Sequence, residues 1–174
     1  HRETEGNPFF LTSILQSLSE GETQLEPRVN EGPGLLPDAL RAAVRVRLAH
    51  VPKTIRPLLE TTAVLGRRFD FDTLLDVTGE PEAQLLDAVE ALVKRRLLRE
   101  EPEGGVYDFC HDKLREVVYR DIGGVRRMLL HQSVAESLER RCEGATHDRD
   151  AQLAEHYERA HVWPKALRYL VLAA

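Results

Sequence analysis

Between Lys94 and Asp112 the apolar period of this chain switches from that of a helix to that of a strand and back. Before the switch, Leu85, Leu86, Val89, Leu92 and Val93 recur at the spacing that lays side chains along one face of an α-helix. Then Leu97-Leu98-Arg99-Glu100-Glu101 and Val106-Tyr107-Asp108-Phe109 flank Pro102-Glu103-Gly104-Gly105, which predicts a β-hairpin. Afterwards Leu114, Val117, Val118 and Ile122 restore helical spacing from roughly His111 onward. A chain punctuated in this way must bury helices against a small antiparallel ribbon.

The helical patterns before the hairpin set the rest of the architecture. Asn7-Pro8 opens the first, with Phe10, Leu11, Ile14, Leu15 and Leu18 on one face and Gly21 as its stop. A polar connector with Pro27, Gly32, Pro33 and Gly34 follows. Leu40, Val44, Leu48 and Val51 mark a helix after Pro37-Asp38, and Ile55, Leu58, Leu59, Thr62 and Ala63 mark another, stopped by Gly66. Asp70 reads as the N-cap of a short helix closed by Gly79. Three helices followed by a hairpin predict a winged helix-turn-helix over 38–122. Beyond a Gly123-Gly124 break, Leu130, Val134 and Leu138 predict a connecting helix over 125–143, and 144–149 reads as polar linker. Leu153, Tyr157 and Ala160 line one final helix; Ala166, Leu167, Leu170 and Val171 line the last, with Trp163-Pro164 as the turn between them. Interleaved small and large residues on such a pair are the unit of a tetratricopeptide-like arm, and one unit leaves an apolar face at Leu167, Leu170 and Val171 uncovered. The predicted fold class is therefore mainly α: a winged helix-turn-helix flanked by helical segments and one such helix hairpin, here over 147–174.

Composition excludes several classes of function. No apolar run is long enough to cross a bilayer, and Cys110 and Cys142 are too few for a disulfide framework or a zinc site, which predicts a cytoplasmic protein. A net charge of -5 gives no global attraction for nucleic acid. Locally, the third helix of the predicted winged helix carries Glu82, Asp87 and Glu90, with Gln84 the sole base reader before Lys94. The hairpin adds Glu100, Glu101 and Glu103 against only Arg95, Arg96 and Arg99, so DNA binding by this unit is disfavoured. There is no G-x-x-x-x-G-K-[ST] loop, and Ser13, Ser17 and Ser19 sit within an amphipathic helix instead of on a nucleophile elbow. His156 and His161, five apart, read as surface residues, and catalytic and metal-binding residues are both expected to be absent.

Two helix starts remain as candidate sites. Gly6-Asn7-Pro8 is either a plain N-terminus, with Asn7 as cap and Pro8 in the first turn, or a positive dipole end turned toward a phosphate or purine. His111-Asp112, directly after the second hairpin strand, is either a cap for the next helix or a phosphate-sensing imidazole beside a helix N-terminus.

The ordered set TEGNPFFL, LP-x-x-L-R-x-x-V-x-x-R-L, LLETTAVLGRRFDFDTLLDVTG, LLDAVEALVKRRLLREE, YDFCHDKLREVVYRDI and LAEHYERAHVWPKALRYLVLAA resembles the region downstream of the ATPase core in bacterial STAND proteins, the signal-transduction ATPases with numerous domains. The resemblance implies that 1–21 is the remnant of the ATPase lid helix, 22–37 a linker, and the whole a non-catalytic regulatory piece of a larger signalling or transcriptional regulator. It implies that Pro8 belongs to the lid's G-x-P motif and packs near a bound adenine nucleotide. His111-Asp112 is similar to the end of the family's MHD motif, with Cys110 in place of Met, whose histidine touches the diphosphate of ADP. ADP or ATP is then the cofactor of the intact parent, shared between Pro8, His111 and an upstream core in cis, and is not expected on the fragment itself. A protein partner or small inducer would act through the helical arm, and oligomerisation on activation is a further expectation. The alternatives are a DNA-binding winged-helix protein and a tetratricopeptide-like interaction module indifferent to nucleotide.

Overall fold

A computed structural model describes residues 38–141 and 147–174. The expected lid helix over 1–21, with Asn7 and Pro8, and the connector over 22–37 lie outside the described residues. The chain divides into two compact units, His1–Lys53 and Thr54–Ala174. In the first, α1 (Asp38–Ala49) begins at the expected Asp38, and Val44, Leu48 and the following Val51 are buried.

The second unit is mainly helical around a small antiparallel sheet. It runs α2 (Arg56–Leu65), β1 (Arg68–Asp70), α3 (Phe71–Thr78), α4 (Glu82–Lys94), β2 (Leu98–Glu100), β3 (Val106–Phe109), α5 (Asp112–Asp121), α6 (Gly124–Arg140), α7 (His147–Arg159) and α8 (Trp163–Leu172). Local chemistry explains most boundaries. The Asp70 carboxylate accepts the Thr73 backbone N–H at 2.7 Å and caps α3, and Gly79 ends that helix in the left-handed conformation at φ 63°. Helix α4 closes differently: Arg96 takes the left-handed position at φ 56°, and the next amide, Leu97, reaches back to the Leu92 carbonyl at 3.1 Å. Six-to-one closure of this kind delivers Leu97 and Leu98 directly into the core.

The sheet has three strands in the order β1-β3-β2, one more than the expected hairpin. Strand β1 is three residues long, with Phe69 its one apolar side chain between Arg68 and Asp70, so it shows no period of its own in the sequence. Pairing reveals it: Phe69 lies opposite Tyr107, and Leu98 opposite Phe109. All four are buried, and the Phe69 and Tyr107 rings stack with centroids 6.1 Å apart. Alternation sends Arg68, Asp108 and Arg99, which are register partners, to the other face. The hairpin turn is also tied to α3, because the Phe71 N–H donates to the Gly105 carbonyl at 2.8 Å.

Helix α2 packs on α5 and α6, α3 packs on α6, α7 packs on α6, and α8 packs on α7. Two boundaries in the final helix pair differ from the sequence reading. Helix α7 already includes His147, where a linker is expected through 149. Trp163 and Pro164 open α8, since proline costs nothing in a first turn, and the turn itself is 160–162 with His161 at φ 59°. On α8 the buried residues are Ala166 and Tyr169, whereas Leu167, Leu170 and Val171 are exposed.

Phe109→Ala should cost about 3–5 kcal/mol, because its ring is fully enclosed. Asp70→Ala should cost about 1 kcal/mol, the worth of one N-cap. Urea denaturation checks both; a smaller loss at Phe109 than at Asp70 would refute the packing assignment.

Candidate regulatory site at the end of the central strand

Strand β3 hands its last residues to α5 under unusual constraint. The Phe109 N–H donates to the Arg67 carbonyl at 3.2 Å, and the Cys110 N–H donates to the Leu97 carbonyl at 3.1 Å. Consecutive amides are thus fixed to opposite neighbours, and His111 follows one residue later. It occupies the N-cap of α5 with extended backbone (φ −149°, ψ 132°) and is half-buried. Its carbonyl accepts the N–H groups of Leu114 and Arg115 at 3.1 and 3.4 Å, so the peptide is locked into the first turn.

Asp112 is the first residue of α5, where a carboxylate suits the positive dipole end. Its side chain is turned to Arg67 Nη1 at 2.9 Å. The Nε of the same guanidinium reaches Asp108 at 3.4 Å, and Arg99 Nη2 reaches the other oxygen of Asp108 at 2.6 Å. Asp108 lies on the polar face of the sheet yet is only 5% exposed, because the two arginines cover it. Arg99 Nε also reaches Glu101 at 3.9 Å, so three carboxylates share two guanidiniums and the cluster leaves no cationic excess. Attraction for an anion at this place would therefore rest on the His111 ring and the dipole of α5. Pro8, the other expected contact, lies outside the described residues.

A second polar system escapes the sequence reading altogether. His156 is 5% exposed and not a surface residue. Its Nδ1 lies 2.9 Å from Nδ1 of His131, whose Nε2 lies 2.8 Å from the Tyr119 hydroxyl, to which Arg159 Nη1 donates at 2.8 Å. A chain thus links α5, α6 and α7. Burial pushes both imidazoles down, His131 to about 3 with the help of His156 and neighbouring arginines, and His156 to about 4. About two turns further along α6, Glu139 receives Tyr157 Oη at 2.5 Å, Tyr169 Oη at 2.6 Å and Lys165 Nζ at 2.7 Å. Burial alone would raise this carboxyl, but those three donors outweigh it and hold the group at about 2. The two tyrosine rings stack at 5.8 Å, so the hub is roofed by aromatic surface. Sequence signals for either system are slight: two tyrosines among leucines on one helix pair, and histidines 25 residues apart.

Among the described residues, no group of His, Cys, Asp and Glu could hold a metal ion, and no helix is long and apolar enough to cross a membrane. No protein-family model matches the chain, and a search of curated proteins finds no match.

Glu139→Gln should lower stability by about 1–2 kcal/mol, at the modest end for a charged hydrogen bond because Lys165 is 42% exposed. The folded carboxyl sits below its ordinary value of 4.5, so its contribution is present above that pH and disappears as pH falls toward about 2. Denaturation of the wild type and variant at several pH values measures it; equal stability at neutral pH would contradict the hub.

Proposed function

We propose that this chain is a non-catalytic regulatory portion of a STAND-type ATPase, coupling nucleotide state to movement of a winged helix and a tetratricopeptide-like arm. In this reading α2, α3 and α4, with the hairpin β2–β3, form the winged helix-turn-helix, and β1 widens its sheet. Helices α7 and α8 form the first helical pair of the arm. The observation that carries the proposal is the delivery of His111 to the N-terminus of α5 by a strand held on both edges. An imidazole that must sense a phosphate needs such a rigid seat, since displacement by about 1 Å is enough to lose a directed contact.

In the intact parent, ADP would lie between an upstream ATPase core, Pro8 and His111, and hold the winged helix closed. Exchange for ATP would remove the diphosphate contact and shift the population toward an open state. One charge-assisted hydrogen bond is worth about 1.5–3 kcal/mol, which biases such an equilibrium without throwing it completely. His111→Ala in a protein that includes the ATPase core should weaken ADP retention about ten- to a hundredfold and raise basal output. Unchanged retention together with unchanged output would reject the role of His111.

The charge on α4 speaks against the DNA-binding alternative. Glu82, Asp87 and Glu90 are all exposed, and Lys94 is engaged by Glu90 at 3.0 Å. A helix so charged would set carboxylates against phosphates. An electrophoretic assay on the chain should give no shift that survives competitor DNA, even at low salt.

A further inference from the structure

The histidine pair is set where it can control whether the α7–α8 hairpin stays on the rest of the unit. His131 belongs to α6, His156 to α7, and Tyr119, which completes the chain, to α5. Both imidazoles are at most 5% exposed. Two Nδ1 atoms 2.9 Å apart can bond only if one carries a proton and the other offers its lone pair. The neutral pair satisfies this. A proton on each ring would aim two N–H groups at one another, and the bond would become a repulsion.

The surroundings reinforce the conflict. Arg115 on α5, Arg127 on α6 and Arg159 on α7 all act on His131 with positive charge. Arg127 and Arg159 both lie over the Tyr119 ring, at 5.2 and 5.7 Å from its centroid. Several carboxylates on the packed elements have partners of their own: Glu116 on α5 takes Arg120 at 2.7 Å and Lys113 at 3.3 Å, and Gln132 donates to Glu136 on α6 at 2.9 Å, while Asp150 on α7 is buried. Glu155 takes Arg159 at 2.6 Å, Glu60 on α2 takes Arg126, Asp76 on α3 takes Ser137 and Arg140, and Glu139 takes Lys165 on α8. An added proton in this seam meets three guanidiniums, one of them (Arg159) partly offset by Glu155, together with little water and another histidine.

We propose that His131 and His156 form an acid-sensitive latch, which holds the α7–α8 hairpin on α6 while neutral and releases it on protonation, with the sheet and α2–α4 remaining folded. The sign follows from linkage. Released histidines take up protons near the ordinary value of about 6.5, whereas docked ones resist until far lower pH, so docking is full above that value and weakens as pH falls. With two protons linked, the docking constant falls up to about a hundredfold per pH unit in that window. The other fastener of the hairpin, Glu139, keeps its charge to about 2, so the histidines decide the release.

Hydrogen exchange of the whole chain between pH ~7 and ~4.5, corrected for intrinsic exchange rates, tests the latch across the ordinary histidine range. Protection should fall in α7 and α8 by a hundredfold or more while β3 and α4 keep theirs. Retained protection in α7–α8, or simultaneous loss in β3, would overturn the proposal. His156→Gln should flatten the dependence toward about tenfold per pH unit, since one linked proton remains. In the unaltered chain, the imidazole resonances of His131 and His156 should titrate together with hairpin release. Titration of either near its ordinary value in a still-protected hairpin would overturn it as well.

Discussion

Strand β3 bonds through both of its edges, to β1 and to β2, and each of those neighbours is only three residues long. Strands so short do not persist alone; they exist because β3 pairs with them and because Phe69, Leu98, Tyr107 and Phe109 share one buried face. The register is strongly specified for the same reason. A slip of one residue would turn Phe109 to water and drive Asp108, with its arginine partners, into the apolar core. Everything downstream inherits this constraint. Cys110 is pinned by its amide, His111 takes the N-cap, and Leu114, fully buried, anchors the first turn of α5.

The α7–α8 hairpin is attached to α6 by two polar devices that solve the problem of burial in opposite ways. Glu139 keeps its charge and receives three donors, so desolvation is offset by hydrogen bonds to the ionised form. His131 and His156 give up their charge and satisfy each other as neutral rings. Around them Leu153, Ala154, Tyr157 and Ala160 provide ordinary apolar contact along α7. Polar fastenings add direction to that contact: each is satisfied in one alignment of the hairpin and leaves buried groups unmatched in others. A regulatory arm that moves as one body would draw on such alignment, and this links the hairpin to the proposed switch.

Much of the helical framework is legible in the residue order. Asp70 and Gly79 bracket α3 by local chemistry that needs no tertiary partner, and the stripe Leu85, Val89 and Leu92 names the buried face of α4. Leu86, in the same apolar run, is 42% exposed, because one helix face is narrower than the run suggests. At the candidate site, the position of His111 at a helix start is readable from strand, histidine and helix in succession. The Arg67 bridge to Asp108 and Asp112 is not, since it joins residues more than forty apart.

The sequence by itself determined the order of helices, the hairpin with its Gly104-Gly105 turn and the helix pair at the end, because capping, periodicity and turn chemistry act over a few neighbouring residues. Only the tertiary structure decided that Phe69 lies in a third strand, that Asp108 is buried beneath two arginines, and that His131 meets His156. Those outcomes depend on which distant surfaces come together and exclude water. Burial and pairing across such distances leave no periodic trace in the chain.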